Sequence, residues 1–144
     1  LAGLAIVEGK LSLADPVAPF APGFALKGGA EQRLTLEHIL SHRTGLPPNA
    51  YDNLLEAGVP VSDILPRYRS VAPICAVGAC YAYQNITFDL AHEALESVYA
   101  EPYEDLVRTR IFEPLGMVRA SLGRPALTQA GDWARPRAWQ NSQP

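Results

Sequence analysis

The chain has 144 residues, enough for one domain and few for two, and its 48% hydrophobic, 19% charged composition is that of a globular protein with a buried core, which excludes disorder, collagen-like repeats and a coiled coil. A formal net charge of −3, with 12 Lys and Arg scattered along the sequence, lacks the basic footprint that a nucleic-acid backbone or an anionic membrane surface requires. The longest uncharged stretch, residues 70–88, contains Pro73, Gly78, Gln84 and Asn85 and has no continuous apolar run, so it does not read as a transmembrane helix.

Residues 1–7 are apolar or glycine throughout and are followed by Glu8, Gly9 and Lys10. This pattern predicts the last two turns of a helix buried on all sides, ending near Gly9 in a left-handed cap. No Ser, Thr, Asp or Asn precedes it, so the helix is expected to begin upstream of Leu1 and the chain to be truncated at both ends. Residues 11–22 read as a connection, because Pro16, Pro19 and Pro22 forbid a long helix. Thr35 is placed to cap a short amphipathic helix through His42, which buries Leu36, Ile39 and Leu40 and is stopped by Gly45, Pro47 and Pro48. Ser62 opens a further helical segment to about Tyr68. The clearest helix runs from Asn85 to about Tyr99, where Ile86, Leu90, Ala94 and Val98 recur at four-residue steps beside Ala91 and Leu95. Pro102 then opens a last helix whose Tyr103, Leu106, Val107 and Phe112 share a face until Pro114. From Arg124 to Pro144 there is neither a strand nor a helix period, although Trp133 and Trp139 are large side chains that seek burial. No segment alternates as a strand for more than a few residues, and the chain reads as mostly α.

The three histidines are His38, His42 and His92, and only the first two stand four apart. Ile39 occupies the place of the Glu in H-E-x-x-H and no third ligand has a diagnostic spacing, so surface or hydrogen-bonded histidines are expected and no metal. Cys75 and Cys80 lack the partner pairs of a zinc site; they form either a disulfide, with Gly78 helping the loop to turn, or two buried thiols. A bridge would imply an oxidising compartment. Tyr83-Gln84-Asn85 stands between a Pro- and Gly-containing loop and the clearest helix. Two readings are open there: a phenol and an amide aimed into one cleft, or a core tyrosine followed by an asparagine that only caps its helix.

Four blocks together resemble one family. Residues 4–17 (L-A-I-V-E-G-K-L-S-L-A-D-P-V), 36–47 (L-E-H-I-L-S-H-R-T-G-L-P), 83–85 (Y-Q-N) and 111–116 (I-F-E-P-L-G), with Met117, are similar in order and spacing to the serine β-lactamase and penicillin-binding superfamily. The branch most like them is that of class C β-lactamases, D-alanyl-D-alanine carboxypeptidases and related esterases. The resemblance implies the helical lobe of an α+β fold of the β-lactamase/transpeptidase type, with its antiparallel sheet largely missing from residues 1–144. It also implies a serine acyl hydrolase acting through an acyl-enzyme on a β-lactam, a D-alanyl peptide or an ester, without a cofactor.

Within that family Tyr83 matches the tyrosine that shuttles the serine's proton, and Asn85 matches the amide that positions the substrate. Gln84 stands where many relatives have serine. The family's nucleophile belongs to an S-x-x-K motif, yet no Ser here has Lys three residues later, since Lys10 and Lys27 follow Val7 and Phe24 at that spacing. No K-T-G or H-T-G follows Asn85; Arg43-Thr44-Gly45 imitates it chemically but precedes the tyrosine. The resemblance therefore implies a chain that is inactive alone, cut from a periplasmic or secreted parent with a small-molecule or peptide acyl substrate. A helical lobe without its sheet is expected to expose apolar faces and to aggregate or pack loosely. The competing expectation is a non-catalytic helical module that binds a peptide or cell-wall fragment at Tyr83 and Asn85.

Overall fold

In a computed structural model, which describes residues 1–135, the chain forms short α-helices joined by 3₁₀ turns and loops, with no strand among the described residues. Trp139 and the rest of residues 136–144 lie outside the described residues. The chain divides into two compact units, residues 1–103 and the residues from Glu104 onward. Helices α1 (Ala2–Val7), α2 (Leu36–Leu40), α3 (Asp52–Glu56), α4 (Val61–Ile64) and α5 (Ile86–Tyr99) belong to the first. Helix α6 (Tyr103–Val107) starts at the boundary, and α7 (Arg124–Gln129) lies in the second.

Helix α1 ends as the glycine predicts: Gly9, at φ +70°, donates to the Ile6 carbonyl at 3.0 Å while Lys10 donates to that of Ala5 at 2.8 Å. This pair of bonds satisfies carbonyls that the helix end would otherwise leave open. Burial on all sides is not what the structure shows. Ala5 is the buried residue of α1, whereas Leu4 is 40% and Val7 87% exposed. A helix under two turns long that packs on α5 covers one stripe only, and its other apolar residues face outward.

Residues 11–22 form the expected connection, with a single 3₁₀ turn at Ala18–Phe20. Opposite it, Val17 donates to Leu34 and Leu36 donates to Asp15, both at 3.0 Å, around a bridge between Pro16 and Thr35. Pro16 has no N–H with which to extend that bridge into a ladder. Thr35 then starts α2, and its N–H donates to His38 Nδ1 at 3.2 Å, so an imidazole stands where a capping box usually has Glu or Gln. Leu36 and Ile39 are buried and Leu40 is half-buried, and the helix stops two residues before His42.

Two elements have no counterpart in the sequence reading: the 3₁₀ turns at Lys27–Arg33 and helix α3. Both are too short to carry a legible period. The segment expected from Ser62 begins one residue earlier in α4 and tightens at Pro66 into a 3₁₀ helix, Leu65–Ser70. Tyr68 of that segment is fully buried, edge-on to Phe24 and Tyr51, and its hydroxyl donates to the Ala50 carbonyl at 2.7 Å. Burial, then the charge of Asp52, pushes this phenol's pKa well above its ordinary 10. Helix α5 is the spine of the first unit. Its Ile86, Leu90, Ala91, Ala94 and Leu95 are buried, Val98 is half-buried, and α1, α2 and the Ala18–Phe20 turn all pack on it.

The helix expected from Pro102 to Pro114 is interrupted. After α6 the backbone widens into a π-helical turn, Arg108–Phe112, so residues five apart are bonded: Glu113 N donates to Arg108 O at 2.9 Å. The Thr109 hydroxyl donates to the Asp105 carbonyl at 2.8 Å, a local bond that competes with the ordinary ladder. Leu106 and Val107 are buried, whereas Phe112, displaced by the wider turn, is half-buried. The reading of residues 124–144 as aperiodic is corrected at its start. Helix α7 forms there with Pro125 in its first turn, and six exposed residues are too few to print an apolar stripe. Trp133 is half-buried, with the Arg135 guanidinium 5.6 Å from its ring.

Candidate active site

Two loops of the first unit lie side by side and carry the site. Residues 42–49 receive hydrogen bonds from, or give them to, residues 74–84 at four levels. Ile74 N donates to Gly45 O at 2.9 Å, Gly78 N to Arg43 O at 2.8 Å, Ala82 N to His42 O at 2.9 Å, and Asn49 N to Tyr83 O at 2.8 Å. The Arg43 guanidinium adds a bond to the Gly78 carbonyl. Cys75 and Cys80 form a disulfide, with Cα atoms 6.3 Å apart, that closes the outer loop on itself. Gly45 sits at φ +84°, and a Cβ there would lie 2.6 Å from the Cys75 carbonyl oxygen, so glycine alone permits this approach. Arg43-Thr44-Gly45 is thus part of the scaffold: Thr44 is 2% exposed and its Oγ1 accepts from Leu46 N at 3.3 Å.

On this scaffold Tyr83 presents its phenol with 46% of the residue exposed, and the hydroxyl donates to Asn85 Oδ1 at 3.0 Å. Asn85 Nδ2 in turn donates to Asp52 Oδ2, in α3, at 2.5 Å. Asn85 stands at the N-cap position of α5 but with helical dihedrals (φ −77°, ψ −60°) and no side-chain bond to the helix amides. Its amide therefore links phenol and carboxylate instead of capping. The second Asp52 oxygen, Oδ1, is buried without a partner among the described residues. Gln84 points the other way. It is 1% exposed, its Nε2 donates to the Pro47 carbonyl at 2.5 Å, and its backbone N–H donates to His42 Nδ1 at 3.3 Å.

His42 adopts φ +56° and lies beneath the aromatic residues of the site. Its ring centroid is 4.6 Å from that of Tyr83, 4.9 Å from Phe88 and 5.8 Å from Tyr81. The bond from Gln84 N turns Nδ1 toward the scaffold and fixes the ring in place. Contact with an imidazole and a bond to an amide oxygen make Tyr83 a positioned hydrogen-bond donor and acceptor at an open surface. Asp52 is 33 residues from its partner in a turn-rich stretch, and nothing local marks it; His42 is marked in the sequence by its spacing from His38 and by the S-H-R-T-G-L-P block, neither of which points to a place beside Tyr83. His38 is occupied at the start of α2, and His92 bonds to acids on α5, so the three histidines lie in three environments. Among the described residues no group of three His, Cys, Asp or Glu side chains gathers as a metal site requires.

Comparison with known proteins places this geometry in context. A sequence model of the family described as Beta-lactamase matches residues 1–144. The chain is 30% identical over 115 residues to the D-alanyl-D-alanine-carboxypeptidase/endopeptidase AmpH of Escherichia coli K12, covering 76% of this chain and 30% of that protein. It is 27% identical over 113 residues to the putative penicillin-binding protein PbpX of Bacillus subtilis, covering 78% of this chain and 27% of that one. The octameric penicillin-binding protein homologue from Pyrococcus abyssi superposes with a TM-score of 0.72 at 26% identity, over 90% of this chain and 31% of its own. The chain thus spans about a third, or less, of the length of these relatives.

Proposed function

The chain belongs to the beta-lactamase family, and from that premise we propose that it carries the proton-handling side of a serine acyl hydrolase whose nucleophile is not among these 144 residues. The observation that supports this most is the Tyr83–Asn85 hydrogen bond at 3.0 Å, which holds a half-exposed phenol and an amide side by side at the mouth of two braced loops. In the proposed reaction a serine attacks the carbonyl of a β-lactam, a D-alanyl peptide or an ester and forms an acyl-enzyme. Tyr83 Oη relays the serine's proton to the leaving group, and Asn85 orients the acyl-side amide. Asp52 holds the Asn85 amide so that its Oδ1 stays aimed at the phenol. The name of the Escherichia coli relative favours a D-alanyl peptide among the three substrates.

Ionising an ordinary phenol at pH 7 costs about 4 kcal/mol, a gap that a neighbouring cation must close. Among the described residues no lysine or arginine is bonded to Tyr83 or lies over its ring; its partners there are the Asn85 amide and the His42 imidazole. In this chain Tyr83 therefore acts as a donor and acceptor rather than a base, and base strength must come from a lysine such as that of S-x-x-K. Deleting the nucleophile of a comparable hydrolase lowers turnover by about 10⁶, or roughly 8 kcal/mol, which Tyr83 and Asn85 cannot supply. With nitrocefin or a short-chain nitrophenyl ester the 144-residue chain is expected to show no more turnover than its Tyr83→Phe variant. In a longer protein that supplies S-x-x-K, the same substitution should lower kcat by about 10² to 10⁴. Sustained turnover by the chain alone, or an unaffected Tyr83→Phe enzyme, would contradict the assignment. The Cys75–Cys80 disulfide supports a periplasmic or secreted parent, because such bonds persist in oxidising compartments.

A further inference from the structure

A pocket of about 230 Å³ opens in the first unit between the 3₁₀ turns at Lys27–Arg33 and the Cys75–Cys80 loop. Its walls include Leu26, Leu46, Ile74 and Val77, and none of the side chains lining it is acidic. Lys27 and Arg33 stand at its edge, and neither forms an ion pair or hydrogen bond through its side chain in the described structure. The one acid of the same turn, Glu31, is engaged elsewhere: its Oε2 accepts from Leu26 N at 2.8 Å, and that backbone bond, acting against partial burial, holds the carboxyl below its ordinary pKa. Thr44 also lines the pocket, 2% exposed, with its oxygen accepting from Leu46 N and its proton not donated to any described residue.

An apolar interior rimmed by two unpaired cations suits a ligand with a short hydrocarbon body and a single negative charge. The two oxygens of one carboxylate can meet both cations, whereas a neutral or cationic amphiphile would leave them unmatched. We propose that this pocket binds a medium-chain carboxylate, its tail among Leu26, Leu46, Ile74 and Val77 and its head held by Lys27 and Arg33. The proposal does not depend on acyl transfer at Tyr83. The pocket walls do include backbone that braces the tyrosine loop, since Gly45 O accepts from Ile74 N and Arg43 O from Gly78 N, so an occupant stiffens both loops.

The test is calorimetric titration of octanoate, octan-1-ol and octylamine into the oxidised 144-residue chain. Octanoate is expected to bind, and the alcohol and amine to bind about tenfold more weakly, the scale of two partly exposed ion pairs. Lys27→Gln with Arg33→Gln, both at exposed positions, should weaken octanoate by about tenfold and leave octan-1-ol unchanged. Ala30→Phe, which fills the pocket, should remove binding of both, with far-UV circular dichroism confirming that each variant retains its helices. Absence of octanoate binding, equal affinity for octylamine, indifference to the charge substitutions, or binding that survives Ala30→Phe would each overturn the proposal.

Discussion

Gly45 and Gly78 both lie in the left-handed region, at φ +84° and +80°, yet a side chain at each would meet different neighbours. At Gly45 a Cβ meets the backbone oxygen of Cys75 at 2.6 Å; at Gly78 it meets His38 Nε2 at 2.9 Å, the end of a side chain that can yield by weakening its Nδ1 bond to Thr35 N. Gly45→Ala should therefore cost about 2 kcal/mol or more, the sum of strained backbone and a displaced loop, and Gly78→Ala about 1 kcal/mol. Urea unfolding of the two variants measures the difference; equal costs would show that the Cys75 carbonyl is free to move. The glycine of S-H-R-T-G-L-P is plain in the sequence as a helix stop. Its second role, admitting the cystine loop, depends on a contact 30 residues away and leaves no local trace. Asp52 is a similar case, for its charge becomes meaningful only when α3 places it against Asn85.

At the level of elements, the junction of α5 with the start of α6 is held by polar contacts. Glu96 Oε1 accepts from Tyr103 N at 2.7 Å and lies 3.2 Å from His92 Nε2, while the imidazole lies tilted against the Tyr103 ring with centroids 4.7 Å apart and has Asp89 3.7 Å from Nδ1. Burial draws the His92 pKa down, but the bond to Glu96 and the charges of Asp89, Glu96 and Glu93 outweigh it and hold it above 6.5. The Tyr103 backbone bond, then the partnership with His92, holds Glu96 below 4.5. A raised histidine contributes fully below its unfolded pKa, and that contribution fades as pH climbs through the folded one. A lowered glutamate contributes above its unfolded pKa and fades as pH falls through the folded one. The contact is thus strongest between about pH 4.5 and 6.5. The difference in Tm between wild type and His92→Gln should be largest near pH 6 and shrink toward pH 9; a difference that does not change with pH would rule out a charged His92. Helix α5 itself was legible because fourteen residues repeat one stripe four times, whereas α3, α7 and the Lys27–Arg33 turns each end before a second repeat.

For the whole chain, the exposed apolar residues matter most. Val7, Leu115 and Val118 are 87%, 69% and 94% exposed, and Ile74 and Leu127 are also on the surface, in a chain whose relatives are about three times as long. The purified chain should therefore bind 8-anilinonaphthalene-1-sulfonate and self-associate as concentration rises, read by fluorescence and light scattering. A monomer that ignores the dye and melts in one sharp transition would refute this. The mostly helical class, the span of α5 and the cap at Gly9 could be read from the sequence alone, because each arises from neighbours within one or two turns of chain, whereas the Y-x-N block was legible only through its resemblance to a family. Three things could not: the outward faces of α1, the link from Tyr83 through Asn85 to Asp52, and the contact of the His42 ring with Tyr83 and Phe88. Each of these depends on which surfaces meet after residues tens of positions apart are brought together, and local periodicity and capping chemistry carry no record of that meeting.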